Sequence, residues 1–347
     1  MARNVVGLDI GTTAVRAAEL SVRGGHVVLV RLGQVGLPPG AVVDGEVVDP
    51  TAVGTAIRAL RRQVRFGSRR VVLGVANQRV VVRQVDLPWM PPQELRRSLS
   101  FQAQDHLPIP VEGVELDFNV LTELEGQDGQ RLVRILLVAA QKEMIAAHLA
   151  AASQGGLSPL AIDLNPFALL RSLAPVTALS EGVEVLIDIG ARVTNVVVHQ
   201  GGSPRLVRIL LMGGQDITDA LSSRLSLGPD EAERAKLAAF EGADDDSGTV
   251  DVIDTNLTAL VEEVRGSVDF YAGHPDAMPP ERVVISGGGS LPGQLAERLQ
   301  AALRLPVERA RTLASVRVGR LGLDPDQLAE LEPLSAVPVG LALGAVA

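Results

Sequence analysis

The sequence predicts an α/β protein of two similar halves, with a smaller unit inserted into the first. Three observations point there. The chain has 347 residues, more than one ordinary module needs. Two apolar runs, at 5–11 and 185–190, each end in Asp-Ile-Gly and open the same succession of β-rich segments. Between them lies a strand, helix, strand, strand order that belongs to neither copy. With 46% apolar and 2% aromatic residues, the core must be built from Val, Leu, Ile and Ala, and no aromatic platform is available for stacking nucleic-acid bases.

The first run reads as a strand that turns at 11–13 into a second strand, 14–20, and the second run does the same into 193–200. A third β-rich segment follows each, 26–35 after Gly24-Gly25 and 206–211 after Gly201-Gly202-Ser203-Pro204. The inserted unit begins with a strand at 80–87. A helix over 92–105 starts at Pro91-Pro92 and sets Leu95, Leu99 and, less regularly, Phe101 on one side. Strands 116–121 and 132–140 flank an acidic turn, and a short helix over 143–152 ends at Gly155-Gly156. In the second half, helices are expected over 216–225, 229–240 and 256–271. The acidic run 242–247 lacks the spacing of a calcium loop and is expected as a solvated loop.

Composition excludes several functions. The net charge of −9 opposes the phosphate neutralisation on which nucleic-acid affinity depends. Zero cysteines remove disulfides, thiolate catalysis and cysteine zinc sites. The start carries no secretory pattern, and the longest apolar runs, 135–140 and 338–347, fall short of the ~20 residues that span a bilayer, so the cytoplasm is the expected compartment.

A strand that ends in Asp and turns at Gly presents a carboxylate and backbone N–H groups at one edge, where phosphate and hydrated Mg²⁺ can be held. At the first hairpin these parts are Asp9, Gly11, Thr12 and Thr13; at the second, Asp188, Gly190, Ala191 and Thr194. Two copies in two half-chains suggest a clamp closing from opposite sides. A third strand end, 283–286, runs into Gly287, Gly288 and Gly289 before a helix over 292–303, and glycine there admits close backbone approach to a flat ligand. Neither a Walker A loop nor a dinucleotide fingerprint is present.

Taken in order, these residues resemble the actin-like ATPases, a ribonuclease H-like fold of duplicated halves. Residues 9–13 are similar to the first phosphate motif of that superfamily, 188–195 to the second and 286–293 to the adenosine motif, while 163–168 and 338–344 resemble the two connecting helices. The segments 86–95, 106–110 and 115–120 resemble the 1C subdomain shared by the PilM and FtsA families, and the chain as a whole is most similar to the PilM family of type IV pilus assembly.

The resemblance implies a first half over 1–80, a 1C insertion over 81–162, a connecting helix over 163–178, a second half over 179–325 and a final connecting segment over 326–347. It also implies ATP or ADP with Mg²⁺ between the halves. Asp9 and Asp188 would hold the metal, and Gly11, Thr12, Thr13, Arg16, Gly190, Ala191, Thr194, Gly213 and Gly214 the phosphates. Glu233 and Lys236 would lie at the ribose, and Gly287, Gly288 and Gly289 at the base. Lys236 is one of only two lysines in the chain.

The implied partner is the N-terminal cytoplasmic tail of PilN, captured on the 1C side. Through it the chain joins the inner-membrane pilus platform, peripherally and without inserting; self-association is a further possibility. A chain that stops at Ala347 leaves no room for the amphipathic anchor of FtsA proteins. Where chaperone members carry Glu before the first connecting Pro, this chain has Asn165, with Asp163 two positions earlier, so water positioning at these residues is weak and slow or absent hydrolysis is expected. The alternatives are a filament scaffold of the FtsA or MreB kind, and a small-molecule kinase on the same fold.

Overall fold

A computed structural model describes residues 4–126, 129–175, 182–242 and 248–346. The chain opens with the meander β1 (Asn4–Ile10), β2 (Ala14–Arg23) and β3 (His26–Gly36), then a short ladder of β4 (Val42–Val43) and β5 (Glu46–Val47), helix α1 (Pro50–Val64) and β6 (Arg70–Val75). Asp49 caps α1 by accepting from the amides of Thr51 and Ala52 at 2.9 and 3.0 Å, ahead of Pro50. The inserted unit is β7 (Val80–Pro88), α2 (Pro92–Gln102), β8 (Val114–Glu125) and β9 (Arg131–Gln141). Helix α3 (Lys142–Gln154), β10 (Ser158–Leu164) and α4 (Asn165–Leu173) complete the first half.

The second half repeats the opening with β11 (Val183–Ile189), β12 (Thr194–Gln200) and β13 (Ser203–Leu210). Helices α5 (Gly214–Leu225), α6 (Pro229–Phe240) and α7 (Thr249–Ala272) follow, then β14 (Arg282–Ser286), α8 (Gly293–Leu303) and β15 (Val307–Arg309). The chain closes with β16 (Arg317–Val318), α9 (Pro325–Leu331) and α10 (Ala336–Val346).

The duplication is visible in the sheets. One orders its strands β10-β6-β1-β2-β3-β16 and the other β15-β14-β11-β12-β13, so each half is an antiparallel meander extended by two parallel strands. The register repeats as well: Asp9 faces Arg16 across the first hairpin, and Asp188 faces Asn195 across the second.

The halves share a core. Val5 and Val72 of the first sheet and Leu186, Val197 and Val284 of the second pack on α4 and α10 through Leu169, Leu173, Val337 and Leu341. Glycine makes this crossing close. A Cβ on Gly340 would lie 1.8 Å from the Ala168 carbonyl, and one on Gly7 2.0 Å from that of Pro338. Residues 336–342 of α10 are all buried, which is why this helix shows no polar face. Among the described residues no single helix is long and apolar enough to cross a membrane.

The insert forms its own three-stranded sheet, ordered β7-β9-β8, with Leu95 and Leu99 of α2 buried on it. Phe101 departs from the expected stripe: two residues on from Leu99, about 200° round the helix, it is 72% exposed. The stretch expected as one unit over 81–162 divides, because α3 packs on α1 and β10 joins the first sheet beside β6. Likewise β16, expected with the second half, pairs with β3 of the first. Most of the acidic run 242–247 lies outside the described residues. Two polar contacts tie the insert to the second half. Arg134, which holds Asp86 at 2.7 and 2.8 Å, reaches Asp276 at 3.4 Å, and Gln84 donates to the Arg205 carbonyl at 2.5 Å. The Arg134 hydrogen bond holds the Asp86 carboxyl below its ordinary range.

Replacing Gly340 with Ala should cost about 2–3 kcal/mol by forcing α10 off α4. Gly344→Ala, whose Cβ would meet only the Arg171 guanidinium, should change stability by less than about 1 kcal/mol. Chemical denaturation of the two variants checks this contrast.

Candidate functional site

The ends of β1 and β11 meet at a cleft of about 700 Å³ lined by both halves. Each strand leaves its sheet through the same tight turn: Gly11 N–H donates to the Ala14 carbonyl at 3.0 Å, and Gly190 N–H to that of Val193 at 2.9 Å. The intervening amides of Thr12, Thr13, Ala191 and Arg192 meet no acceptor among the described residues. Thr12, Thr13 and Ala191 line the cleft, so both turns bring amides without an internal acceptor to it, an arrangement suited to an anion.

The carboxylates stand beside these turns. Asp9 accepts from Asn165 Nδ2 at 3.3 Å and lies 3.6 Å from Arg16 Nη1. Burial raises its pKa, and Arg16 opposes that rise. Asp188 accepts from Ser286 Oγ at 2.9 Å. Its pKa is pushed up to about 6, by burial first and then by repulsion from Asp9. Three side-chain atoms of cleft residues are buried out of reach of solvent and have no hydrogen-bond partner: Arg16 Nε, Asn165 Oδ1, which lies against Gly74, and Asn195 Oδ1. Two buried carboxylates at one cleft, with Asp9 adding repulsion to the burial of Asp188, suit a hard, hydrated cation such as Mg²⁺, which takes few protein ligands and keeps its waters. The unpartnered Arg16 donor suits an anion beside it.

The opposite wall comes from the second half. Lys236 is buried, and its three protons are spent on Glu233 Oε2 at 2.6 Å, Thr218 Oγ1 at 2.9 Å and the Gly214 carbonyl at 3.1 Å. It is thus no ordinary exposed i,i+3 pair. It braces α6 against α5, while the second oxygen of the half-exposed Glu233 remains free at the cleft. Gly287 has a φ of +83°, and a Cβ there would lie 2.3 Å from the Ile189 carbonyl, so only glycine lets this turn sit on the end of β11. Leu237, Phe240, Leu291 and Leu334 add an apolar slot beside it.

The cleft brings together Asp9, Gly11, Thr12, Thr13, Arg16, Asn165, Asp188, Gly190, Ala191, Gly214, Glu233, Lys236, Gly287, Gly288 and Gly289. Three expected residues do not line it. Asp163 is held by Arg171 and lines a different groove, whereas Asn165, where the strand passes into α4, reaches the cleft. Thr194 is fully buried and donates to the Met212 carbonyl at 2.7 Å. Gly213 gives its amide to Asp216 Oδ2 at 2.7 Å, while the next two amides bond Gly190 and Ala191. The start of α5 therefore holds the second turn in place instead of facing a ligand. Arg192, clamped by Asp216 and Asp219, does the same from the other side.

Asn195, Ser286 and Gln215 were not foreseen. Asn195 was legible in principle, since it stands seven residues after Asp188 as Arg16 does after Asp9.

Comparison with known proteins supplies the context. Residues 7–346 match the family model described as type IV pilus assembly protein PilM. A solved PilM-PilN type IV pilus biogenesis complex contains a chain 32% identical to this one, with a TM-score of 0.87 over 99% of this chain and 98% of that one. Cell division protein FtsA of Bacillus subtilis is 26% identical over 335 residues, covering 84% of this chain and 75% of FtsA. MreB 5 of Spiroplasma citri, solved bound to AMPPNP, shares the fold at 13% identity and a TM-score of 0.54, over 90% of this chain and 93% of that one.

The raised pKa of Asp188 makes its ionisation a cost to the metal-free fold. That cost is absent below about pH 4, where the group is protonated both folded and unfolded, and grows as pH rises through about 6. Asp188→Asn should therefore stabilise the protein by about 1–3 kcal/mol at pH 7 without nucleotide or divalent cation. Denaturation at pH 7 and pH 4 should show the gain at the first and none at the second.

Proposed function

Since the chain belongs to the family of type IV pilus assembly protein PilM, we propose that it is a nucleotide-binding adaptor of the pilus inner-membrane platform, which captures the N-terminal cytoplasmic tail of PilN. The whole-chain likeness to the PilM-PilN complex carries this reading. A second groove, of about 690 Å³, offers the tail a place on the side of the insert. Its walls are β8 and β10, each the edge strand of its sheet, together with α3 and the turn between β12 and β13. An extended peptide can add to such an edge through main-chain hydrogen bonds while apolar side chains such as Leu149, Leu160 and Phe167 take its alternate residues. This attachment would hold the chain at the inner face of the membrane, and among the described residues no single helix is long and apolar enough to cross it.

The cleft between the halves is the nucleotide site in this reading. Asp9 and Asp188 would hold a hydrated Mg²⁺, whose charge offsets that of the phosphates. The amides of Thr12, Thr13 and Ala191 bind phosphate oxygens, Arg16 adds a fixed cation, Glu233 accepts from ribose hydroxyls, and Phe240 and Leu334 exclude water from the base. Asn165, whose amide meets Asp9 at the cleft, is the candidate to orient a water. An amide cannot accept the proton of that water, and Asp163 faces elsewhere, so the site favours holding nucleotide over turning it over.

A synthetic PilN-tail peptide should bind the purified chain by calorimetry. Leu160→Glu, in the groove wall, should weaken that binding about tenfold or more while leaving nucleotide affinity unchanged. Failure of the folded chain to bind the tail, with or without ATP and Mg²⁺, would remove the adaptor role. In a phosphate-release assay, multiple-turnover hydrolysis should run far below the ~1 s⁻¹ that marks the slow end of ordinary kinases; a faster rate abolished by Asp188→Ala would contradict the assignment of Asn165.

A further inference from the structure

The net charge of −9 conceals one strongly basic face. Between Asp49 and Asp86 the chain carries eight arginines and no acidic residue. Six of them, Arg58, Arg61, Arg62, Arg65, Arg69 and Arg70, gather where α1 ends and the loop into β6 begins. Two have a local duty: Arg58 and Arg61 donate to the carbonyls of Gln154 and Gly155 at 2.5 and 2.9 Å, at the C-terminal end of α3, where a helix favours cations. The other four are exposed, and their guanidinium groups meet no carboxylate or other acceptor among the described residues. Some exposed arginines elsewhere find acids, as Arg96 with Asp117 at 3.0 Å, Arg131 with Glu123 at 2.9 Å and Arg265 with Glu262 at 2.7 Å, and others such as Arg97 and Arg234 find none among the described residues; what sets these four apart is that they gather in a stretch that carries no acidic residue. The crowding is unrelieved, for Arg61 is held below its ordinary range by burial and then by the charge of Arg69.

The position of this face matters as much as its charge. Here α1 and α3 end and β6 and β10 begin, at the far end of the strands from Asp9 and Asn165. The nucleotide cleft therefore has no use for it. The face does adjoin the peptide groove: Ser158 donates to the Arg69 carbonyl at 2.7 Å and pairs with Arg70, and the next residues, Pro159 and Leu160, form the groove wall.

We propose that Arg62, Arg65, Arg69 and Arg70 form a docking surface for an anionic lipid bilayer, a second contact beside the tail held in the groove. The inference rests on the reading that the groove takes the tail of an inner-membrane protein, because that tail brings the adjoining face to the headgroups. Clusters of four to eight basic residues suffice for such attraction, and a weak electrostatic contact gains effect when another anchor already holds the protein near the surface. Nucleic acid suits the face less well. A long polyanion would extend onto the acidic remainder of the chain, and Phe66, the single aromatic residue between Asp49 and Asp86, is half-buried and offers no stacking platform.

The test uses the full chain and vesicles carrying a lipid-anchored PilN-tail peptide, made of phosphatidylcholine alone or mixed with phosphatidylglycerol. At low salt the phosphatidylglycerol vesicles should bind the chain at least about tenfold tighter, an advantage that shrinks as salt rises. Combined Arg62→Gln, Arg65→Gln, Arg69→Gln and Arg70→Gln should abolish the advantage, whereas the same four changes to Lys should keep it, since charge and not fork geometry is used. Affinity for the free peptide should be equal in all three proteins, which also reports that they fold. Equal binding to both vesicle types, an advantage that survives the Gln variant, or capture of duplex DNA by these arginines without preference for phosphatidylglycerol would overturn the proposal. Loss of free-peptide binding alongside arginine-dependent binding to peptide-free phosphatidylglycerol vesicles would overturn the adaptor reading and support this one.

Discussion

Two carboxylates, one from each half, are buried at a single cleft, and that burial is the constraint on which the site depends. Asp9 and Asp188 come from equivalent strand ends of the two halves, so their separation is set by how the halves join. That junction is the crossing of α10 over α4 and β1, where Gly340 and Gly7 leave no room for a side chain. The two sides then diverge. The first half sets a fixed cation, Arg16, across from its carboxylate; the second sets a neutral amide, Asn195, so that its own half offers Asp188 only uncharged donors, that amide and the Ser286 hydroxyl. The asymmetry explains why Asp188 is driven up to about 6 while the rise at Asp9 is opposed by a charge of its own half.

The insert is joined to this system at two places. Arg134 and Gln84 connect its β7–β9 ladder to the second half, and the groove that it forms with β10 is completed by Gly202 and Pro204 of that half. A ligand in the groove and a ligand in the cleft thus each touch both halves. Were the halves to sit differently with one ligand bound, the other would feel it, and that coupling would be reciprocal.

Much of this was legible in the residues. The repeated Asp-Ile-Gly runs and the strands behind them displayed the duplication, because a half-buried strand must carry its apolar pattern in order. The glycines at 287 and 289 declared a close backbone approach. What escaped notice lay in side-chain direction and long-range pairing. Asp163 and Asn165 are two apart, yet one is drawn to Arg171 and the other to the cleft, where a strand passes into a helix. Thr194 resembled a phosphate donor but spends its hydroxyl on a buried carbonyl. The assignment of α3 and β10 to the first half depended on contacts with residues some hundred positions away, which local periodicity does not report. Asn195 needed the register of a hairpin, and the free arginines needed the absence of acids in space as well as in sequence.

The last helix has a consequence for biogenesis. The first sheet spans residues from Asn4 to Val318, and its inner face is sealed by α10, the final segment described. An emerging polypeptide could therefore build the insert and the second meander while still attached to the ribosome, since their strands are near neighbours in sequence, but the amino-terminal sheet would wait with Val5, Leu20 and Val72 uncovered until α10 had emerged. The segment that makes the beginning of the chain stable is thus synthesised long after it.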